Sequence, residues 1–228
     1  MRVLVHGVDA SLVGRLRSRG AEVAAAEDRF AFGLRLDGAP EALVTAMPAP
    51  ELELLADLAP AVWRERFRRR VEEPFALVQA WLRDVLARGI EGRWVAVTTS
   101  LGAQPFPGGG SFGACAAALH TLVRVAALEY APRGIRANAV APGWYEGGLP
   151  AALGPEGAAI AVADTPARRL AHADDVAAAV AWLLSDEAAH VAGEVLRVDG
   201  GYAITRSGRA APSREIERWL LDEPWRGY

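Results

Sequence analysis

The sequence predicts an α/β fold in which helices cover both faces of a doubly wound parallel sheet, giving three layers. Two observations carry this prediction. Short apolar runs typical of buried strands alternate with helical segments of ten or more residues, the length that a crossover between parallel strands needs. The chain also has 228 residues, 52% of them hydrophobic, which is enough for one domain with its own core.

Each predicted strand is short and apolar, and each predicted helix repeats apolar residues at helical spacing. Pro74 interrupts the longest helix and should kink it, because proline removes a hydrogen-bond donor and its ring clashes with the preceding turn. In chain order we predict strands at 2–6, 21–26, 42–46, 93–98, 135–140 and 194–198, and helices from Asp9 or Ser11 to 19, then at 63–88, 112–130, 174–184 and 213–221.

Composition excludes several classes of function. A net charge of -3 offers no basic face for nucleic acid, and a single cysteine, Cys115, excludes a disulfide framework and a multi-cysteine metal site. The chain starts with no signal-peptide pattern and contains no uninterrupted apolar run of membrane-spanning length, so we expect a cytoplasmic protein without membrane contact. All 25 basic residues are arginines, so no mechanism here can use a lysine.

Several motifs follow one another in a specific order from Gly92 onward. A strand ends in VTTS at 97–100, a helix opens at Phe112, and the runs RGIRANAVAPG, DDVA and GEVLRVDGG follow. Over roughly residues 60–205 this arrangement closely resembles the short-chain dehydrogenase/reductase family, of the classical type that includes β-ketoacyl reductases. The resemblance implies a Rossmann-like fold and a reaction in which hydride passes between NAD(P) and a carbonyl or alcohol.

The resemblance also implies where the family's catalytic residues would stand. The family uses a Tyr-x-x-x-Lys pair, a serine and an asparagine; here those positions carry Phe112 and Ala116, Thr99, and Arg70. A phenyl ring has no proton to donate, and general acid–base catalysis is typically worth about 10²–10⁴ in rate. We therefore expect no catalytic residues of the family type and no hydride-transfer activity of the usual kind.

The cofactor half departs from the family's pattern as well. His6 stands at the threonine of the glycine-rich loop, Gly7 remains, and the later glycines are missing. Asp9 would bring a carboxylate towards the pyrophosphate, and the short stretch between 26 and 42 implies a truncated adenosine-binding edge, with Asp37 at the position of an adenine-contacting acid. We expect no cofactor: NAD(P) binding should be weak or absent, Gly7 and Asp37 vestigial, and a metal site lacking.

We expect one Rossmann-like domain over 1–228, with a shortened cofactor half at 1–50, a family-like framework at 60–205 and a C-terminal tail at 206–228. The family usually forms oligomers through the helices that correspond to 64–88 and 112–130. We therefore expect a homo- or hetero-oligomer through these helices. The chain itself is interpreted as a non-catalytic subunit of a hetero-oligomer whose partner would be an active member of the same family.

Two alternatives stay open. One is a cofactor-independent dehydratase, isomerase or cyclase that uses the vacated cleft, with His6, Tyr145 or Glu146 as acid or base. The other is an atypical NAD(P)-dependent oxidoreductase. The residues expected to line the candidate pocket are His6, Asp9, Thr99, Phe112, Trp144, Tyr145 and Glu146.

Five arginines cluster near the start of the long helix: Arg64, Arg66, Arg68, Arg69 and Arg70. The interpretation is a solvated face or a partner contact, and the alternative is a docking site for an acidic cofactor tail such as that of coenzyme A. Cys115, near Phe112, is interpreted as a small buried residue and not as a nucleophile.

Overall fold

A computed structural model describes residues 1–8, 10–25, 38–104, 107–146 and 154–206. It confirms the predicted fold class, with six parallel strands in the order β2-β1-β3-β4-β5-β6. The strands are β1 (Arg2–His6), β2 (Glu22–Ala25), β3 (Ala42–Ala46), β4 (Gly92–Val97), β5 (Ile135–Pro142) and β6 (Val195–Val198). The helices are α1 (Ala10–Ser18), α2 (Pro60–Phe67), α3 (Glu73–Arg88), α4 (Gly110–Tyr130), α5 (Gly154–Asp164), α6 (Ala173–Leu184) and α7 (Tyr202–Arg206).

The core consists of two apolar layers, because side chains alternate between the faces of each strand and both faces are covered. On one face, α1 and α6 pack on the sheet through a cluster that includes Val3, Val5, Val44, Val95, Leu12, Leu16, Val180 and Leu183. On the other face, α3 and α4 pack through Leu4, Leu43, Trp94, Ala96, Leu77, Trp81, Val85 and Val123.

The predicted long helix consists of α2, a π-helical turn at Arg68–Glu72, and α3. Pro74 explains the turn: it has no N–H for the Arg70 carbonyl, and its ring would clash with that carbonyl in a regular α-helix. The turn widens instead, and the N–H of Glu73 donates to the carbonyl of Arg68, five residues earlier. The chain therefore stays helical through the proline, and the residues of the π turn face directions that regular helical spacing does not predict.

Asn138, the sole asparagine of the sequence, holds the segment that leads into β6. Its side-chain amide donates to the carbonyl of Val191 at 2.9 Å and accepts from the N–H of Glu194 at 3.0 Å. Because the amide is buried in β5, both hydrogen bonds are needed to satisfy it.

Among the described residues, the stretch Gly110–Arg133 has the length and composition of a possible membrane span, although half of the relevant window is buried inside the fold. It contains α4, which packs along β5 as the core helix of a globular domain does. The predicted helix at 213–221 and the shortened stretch at 26–37 lie outside the described residues, and the proposed division of the chain into segments stays a prediction.

Candidate functional site

The carboxyl ends of the six parallel strands meet at one edge of the sheet. The strand order reverses at β1, because β2 lies on one side of β1 and β3 on the other. In doubly wound sheets, ligands bind in the crevice at such a switch point. The loops that follow β1, β3, β4 and β5 therefore form the candidate site.

β1 ends in a turn at Gly7, at the switch point of the sheet. Gly7 has φ +67°, and a Cβ atom at this position would lie 2.3 Å from the carbonyl oxygen of Ala46 in β3. Only glycine fits this backbone, because any other residue would meet both the left-handed strain and the neighbouring strand. α1 begins at Ala10, and the first N–H groups of a helix have no acceptor within the helix itself, so a helix start favours an anion.

An apolar cluster stands at the same edge of the sheet. Phe112 from the first turn of α4 and Trp144 after β5 are both buried and pack with Ala161 of α5 and Tyr202 of α7. The rings of Trp144 and Tyr202 meet edge to face, with centroids 5.4 Å apart. Two of the predicted pocket residues thus come together, whereas Ala161 and Tyr202 were missed by sequence reasoning. The only signal for Tyr202 was its place directly after the DGG motif.

The remaining predicted pocket residues do not join this apolar cluster. Thr99 and His6 are buried at the ends of β4 and β1. Tyr145 forms a parallel bridge with Ala171, and the Glu146 carboxylate lies 2.6 Å from Nδ1 of His172, with both side chains about half exposed. Glu146 therefore belongs to a half-exposed contact with His172 and not to the apolar cluster. Asp9 and Asp37 lie outside the described residues.

Arg70, predicted to stand in a solvated basic patch, is instead buried, with 2% of its surface exposed. Its Nη2 donates to the carbonyl of Ala49 at 2.7 Å, and its Cζ lies 5.4 Å from the centroid of the Phe112 ring, within the range of a cation–π contact. Burial lowers the pKa of this guanidinium and the Glu51 carboxylate opposes that shift, but an arginine stays charged. A permanent cation is thus fixed against the ring at the proposed tyrosine position.

Arg66, one turn before Arg70, is also buried. Its Nε donates to Oε2 of Glu51 at 2.8 Å, and its Nη1 lies 3.0 Å from Oε2 of Glu53 and 3.5 Å from Oγ of Ser111. The sequence interpretation had put both side chains on a solvated face or at a partner contact. They turn inwards because α2 packs against α4 and because the π turn at 68–72 changes the rotation at Arg70.

The Glu51 carboxylate contacts three guanidinium groups. Besides the bond from Arg66, it lies 3.6 Å from Nη2 of Arg70 and 3.8 Å from Nη1 of Arg69. Arg66, Arg69 and Arg70 are hereafter called the arginine cluster. Arg68 stands apart from it and pairs with Glu65 and Glu73.

Cys115 lies one turn beyond Phe112 and is buried. Burial raises the pKa of its thiol, and the nearby Arg70 cation only partly offsets this. A nucleophilic cysteine needs a depressed thiol pKa, so the environment fits a small buried residue.

His120 of α4 is a buried titratable group behind the site. Its Nε2 and the Thr98 hydroxyl are hydrogen-bonded at 2.8 Å, and burial, with a smaller contribution from Arg124, lowers its pKa from 6.5 to about 4. The imidazole is therefore neutral at physiological pH, and its role is to hold the end of β4 against α4.

We expect His120 to make the fold sensitive to mild acid. As pH falls below 6.5 the unfolded chain takes up a proton that the folded chain refuses until about pH 4, so stability present at neutral pH is lost on acidification. This loss should be about 2 kcal/mol between pH 7 and pH 5. Urea unfolding at both values measures it. His120→Gln should remove this part of the pH dependence, whereas His190→Gln, at an exposed histidine, should leave it unchanged.

Comparison with known proteins decides the family. The model of the enoyl-(acyl carrier protein) reductase family matches residues 15–203. The chain belongs to the short-chain dehydrogenase/reductase family. It is 44% identical over 121 residues to cis-4-hydroxycyclohexanecarboxylate dehydrogenase of Sinomonas cyclohexanicum, a match that covers 53% of this chain and 48% of that protein. It is 34% identical over 148 residues to the 3-oxoacyl-[acyl-carrier-protein] reductase FabG of Escherichia coli, covering 65% of this chain and 60% of that protein. These matches thus span half to three fifths of the length of the two relatives.

Solved structures of short-chain dehydrogenases share the fold. A putative 2-deoxy-d-gluconate 3-dehydrogenase from Agrobacterium tumefaciens, with bound NADP, superposes with a TM-score of 0.80 at 24% identity, over 89% of this chain and 96% of that one. An oxidoreductase of the short-chain family from Burkholderia thailandensis gives 0.76 at 23% identity, over 98% of both chains.

The expectation of weak or absent NAD(P) binding is wrong. Membership of an oxidoreductase family, with dehydrogenases and reductases as relatives and an NADP-bound structural neighbour, contradicts it. The expectation gave too much weight to the missing glycines, because the backbone N–H groups of a helix N-terminus are what hold a phosphate. The turn at Gly7 and the start of α1 at Ala10 provide that arrangement.

The placement of Thr99, Phe112, Ala116 and Arg70 at the family's catalytic positions stays a prediction, as does the expected lack of a metal site. Family membership agrees with an oligomer in general. A partner of a different kind is a proposal and is taken up below.

Proposed function

We propose that this short-chain dehydrogenase is an NAD(P)-dependent oxidoreductase that interconverts an alcohol and a carbonyl by an altered proton route. The observation that carries the proposal is the Gly7 turn against β3, with the start of α1 following it, at the switch point of the sheet. This is the position at which doubly wound folds bind a dinucleotide.

The chain's own residues fit the pyrophosphate end of the cofactor. The turn at Gly7 lets the backbone approach closely, and the N–H groups at the start of α1, near Ala10 and Ser11, would hold the phosphates. When bound, the nicotinamide would supply or accept the hydride. Phe112 and Trp144 would form an apolar wall at the reacting end, and the Thr99 hydroxyl would hydrogen-bond the substrate oxygen.

The proton route must differ from one that uses a phenol, because Phe112 has no proton to give. The proton would come from solvent, and the hydrogen bond from the Thr99 hydroxyl would stabilise the negative charge that develops on the substrate oxygen until the proton arrives. We expect turnover about 10²–10⁴ times slower than with a positioned general acid.

A second function is a non-catalytic subunit that assembles with an active family member in the cytoplasm. Two observations favour it: Phe112 and Ala116 lack the groups for proton transfer, and α4 carries exposed apolar side chains at Val125 and Leu128, the latter 81% exposed. The cofactor-independent enzyme receives less support, because the half-exposed Glu146 carboxylate contacts His172 and stands apart from the apolar cluster.

Calorimetric titration with NADH and NADPH, followed by an assay of nucleotide oxidation with a panel of ketones, tests both functions. The oxidoreductase should bind one nucleotide at micromolar concentration and oxidise it only when a substrate is present. Binding with no turnover, alone or with added substrate, would favour the subunit role. An absence of binding at millimolar nucleotide would overturn the proposed function.

A further inference from the structure

We infer that the arginine cluster binds a carboxylate group of the substrate and that Glu51 occupies this site as an internal placeholder. The inference rests on the proposed function, because it names the class of substrate: a hydroxy or oxo compound that also bears a carboxylate.

Arg70 is a buried cation whose Nε–H group donates to no described acceptor. Its Nε is buried and has no hydrogen-bond partner within the described residues, and its nearest carboxylate oxygen, on Glu51, lies at 3.6 Å. A buried charge is stable only when it is well paired and its donors are satisfied. The guanidinium therefore has spare capacity for an anion placed closer than Glu51.

The arginine cluster contains more positive than negative charges. Three guanidinium groups, those of Arg66, Arg69 and Arg70, share two carboxylates, those of Glu51 and Glu53, within the part of the chain that the structure describes. The cluster thus keeps an excess of positive charge. Arginine binds a carboxylate through two parallel N–H donors. A planar carboxylate therefore fits the site better than an anion that accepts only one of these hydrogen bonds.

Glu51 can be exchanged for the carboxylate of a ligand. It lies on the irregular segment between β3 and α2, and 47% of its side chain is exposed. Its partners Arg66 and Arg70 are buried, so the glutamate can leave only as another carboxylate takes its place on the same guanidinium groups. A ligand carboxylate would replace Glu51 on Arg70 and Arg66, and the glutamate would move into water.

The site lies next to the reacting position of the proposed function. Arg70 stacks on Phe112, and Arg66 reaches Ser111, so the cluster touches the first turn of α4. A carboxylate held there would place the rest of a small substrate beside Phe112 and Trp144. The relative with 44% identity is named for cis-4-hydroxycyclohexanecarboxylate, which carries a carboxylate and a hydroxyl on one small ring.

The test is calorimetric titration of the full chain without nucleotide. The probes are cis-4-hydroxycyclohexanecarboxylate, its neutral methyl ester, and inorganic phosphate. Glu51→Gln removes the placeholder's charge and should tighten carboxylate binding about fivefold or more, whereas Arg70→Met should weaken it at least about tenfold. Glu65→Gln is the matched control, because Glu65 is an exposed glutamate that pairs with Arg68 outside the cluster.

The ester should not bind, and phosphate should bind more weakly than the carboxylate. Equal carboxylate affinity in Glu51→Gln and the native chain, equal binding of the ester, or tighter binding of phosphate would each overturn the inference. Arg70→Met removes a buried side chain and could fail to fold, so Glu51→Gln, at a half-exposed position, decides the matter alone. Because these titrations contain no nucleotide, a failure here is distinguishable from a failure of NAD(P) binding.

Discussion

Replacing Phe112 with tyrosine is expected to raise kcat for nucleotide-dependent carbonyl reduction by about 10²-fold, the lower end of the range for general acid–base catalysis. The substitution supplies a phenol at the first turn of α4, where the chain now has none. The Arg70 guanidinium, 5.4 Å from the centre of the ring, would lower the pKa of that phenol and so ease proton transfer. Steady-state rates between pH 6 and pH 9 measure the effect.

The control for this gain is Phe67→Tyr, which makes the same change at a ring stacked on Trp63, outside the apolar cluster. It should leave kcat unchanged. If Phe112→Tyr binds NADPH but stays as slow as the native chain, a phenol at this position cannot reach a substrate, and the role of a non-catalytic subunit gains support.

Replacing Gly7 with alanine should lower the free energy of unfolding by about 2–4 kcal/mol and abolish nucleotide binding. The left-handed backbone at φ +67° is strained for alanine, and the new Cβ would lie 2.3 Å from the Ala46 carbonyl oxygen. Because that oxygen belongs to the backbone of β3, relief requires β1 and β3 to separate at the switch point. Urea unfolding and calorimetry with NADPH measure the two losses.

Gly20→Ala is the matched control for the clash. Gly20 has φ +84° after α1, but a Cβ there would meet nothing within 4 Å, so the substitution carries only the conformational strain. We expect it to destabilise the fold by about 1 kcal/mol and to leave NADPH affinity unchanged. Equal destabilisation by the two substitutions would show that the contact with Ala46 does not matter.

The sequence predicted the sheet because buried parallel strands and their crossovers leave a strong apolar pattern. It also placed Phe112 and Trp144 in one pocket, since both follow strands whose ends share an edge. It missed α5, whose alanine- and glycine-rich sequence has no clear amphipathic spacing. The inward turn of Arg70 was missed as well, because a π turn breaks the regular period on which such predictions depend.

The wrong expectation about the cofactor has a similar origin. Glycines in a phosphate-binding loop are visible in a sequence, whereas the N–H groups that hold a phosphate belong to the backbone and leave no mark in it. Gly7 alone preserves the close approach of β1 to β3. A motif with missing glycines can therefore still form the turn that the ligand needs.

The purely parallel sheet also limits how this chain can reach its native state. No two of the six described strands can pair through a short hairpin, and β6 can dock on β5 only after the whole segment between Pro142 and Val195 has been made. Closing such long loops slows folding, and until β6 arrives β5 presents an unpaired edge that can recruit other chains. During synthesis, the edge of β5 is therefore protected from such pairing only after β6 has been made and has docked.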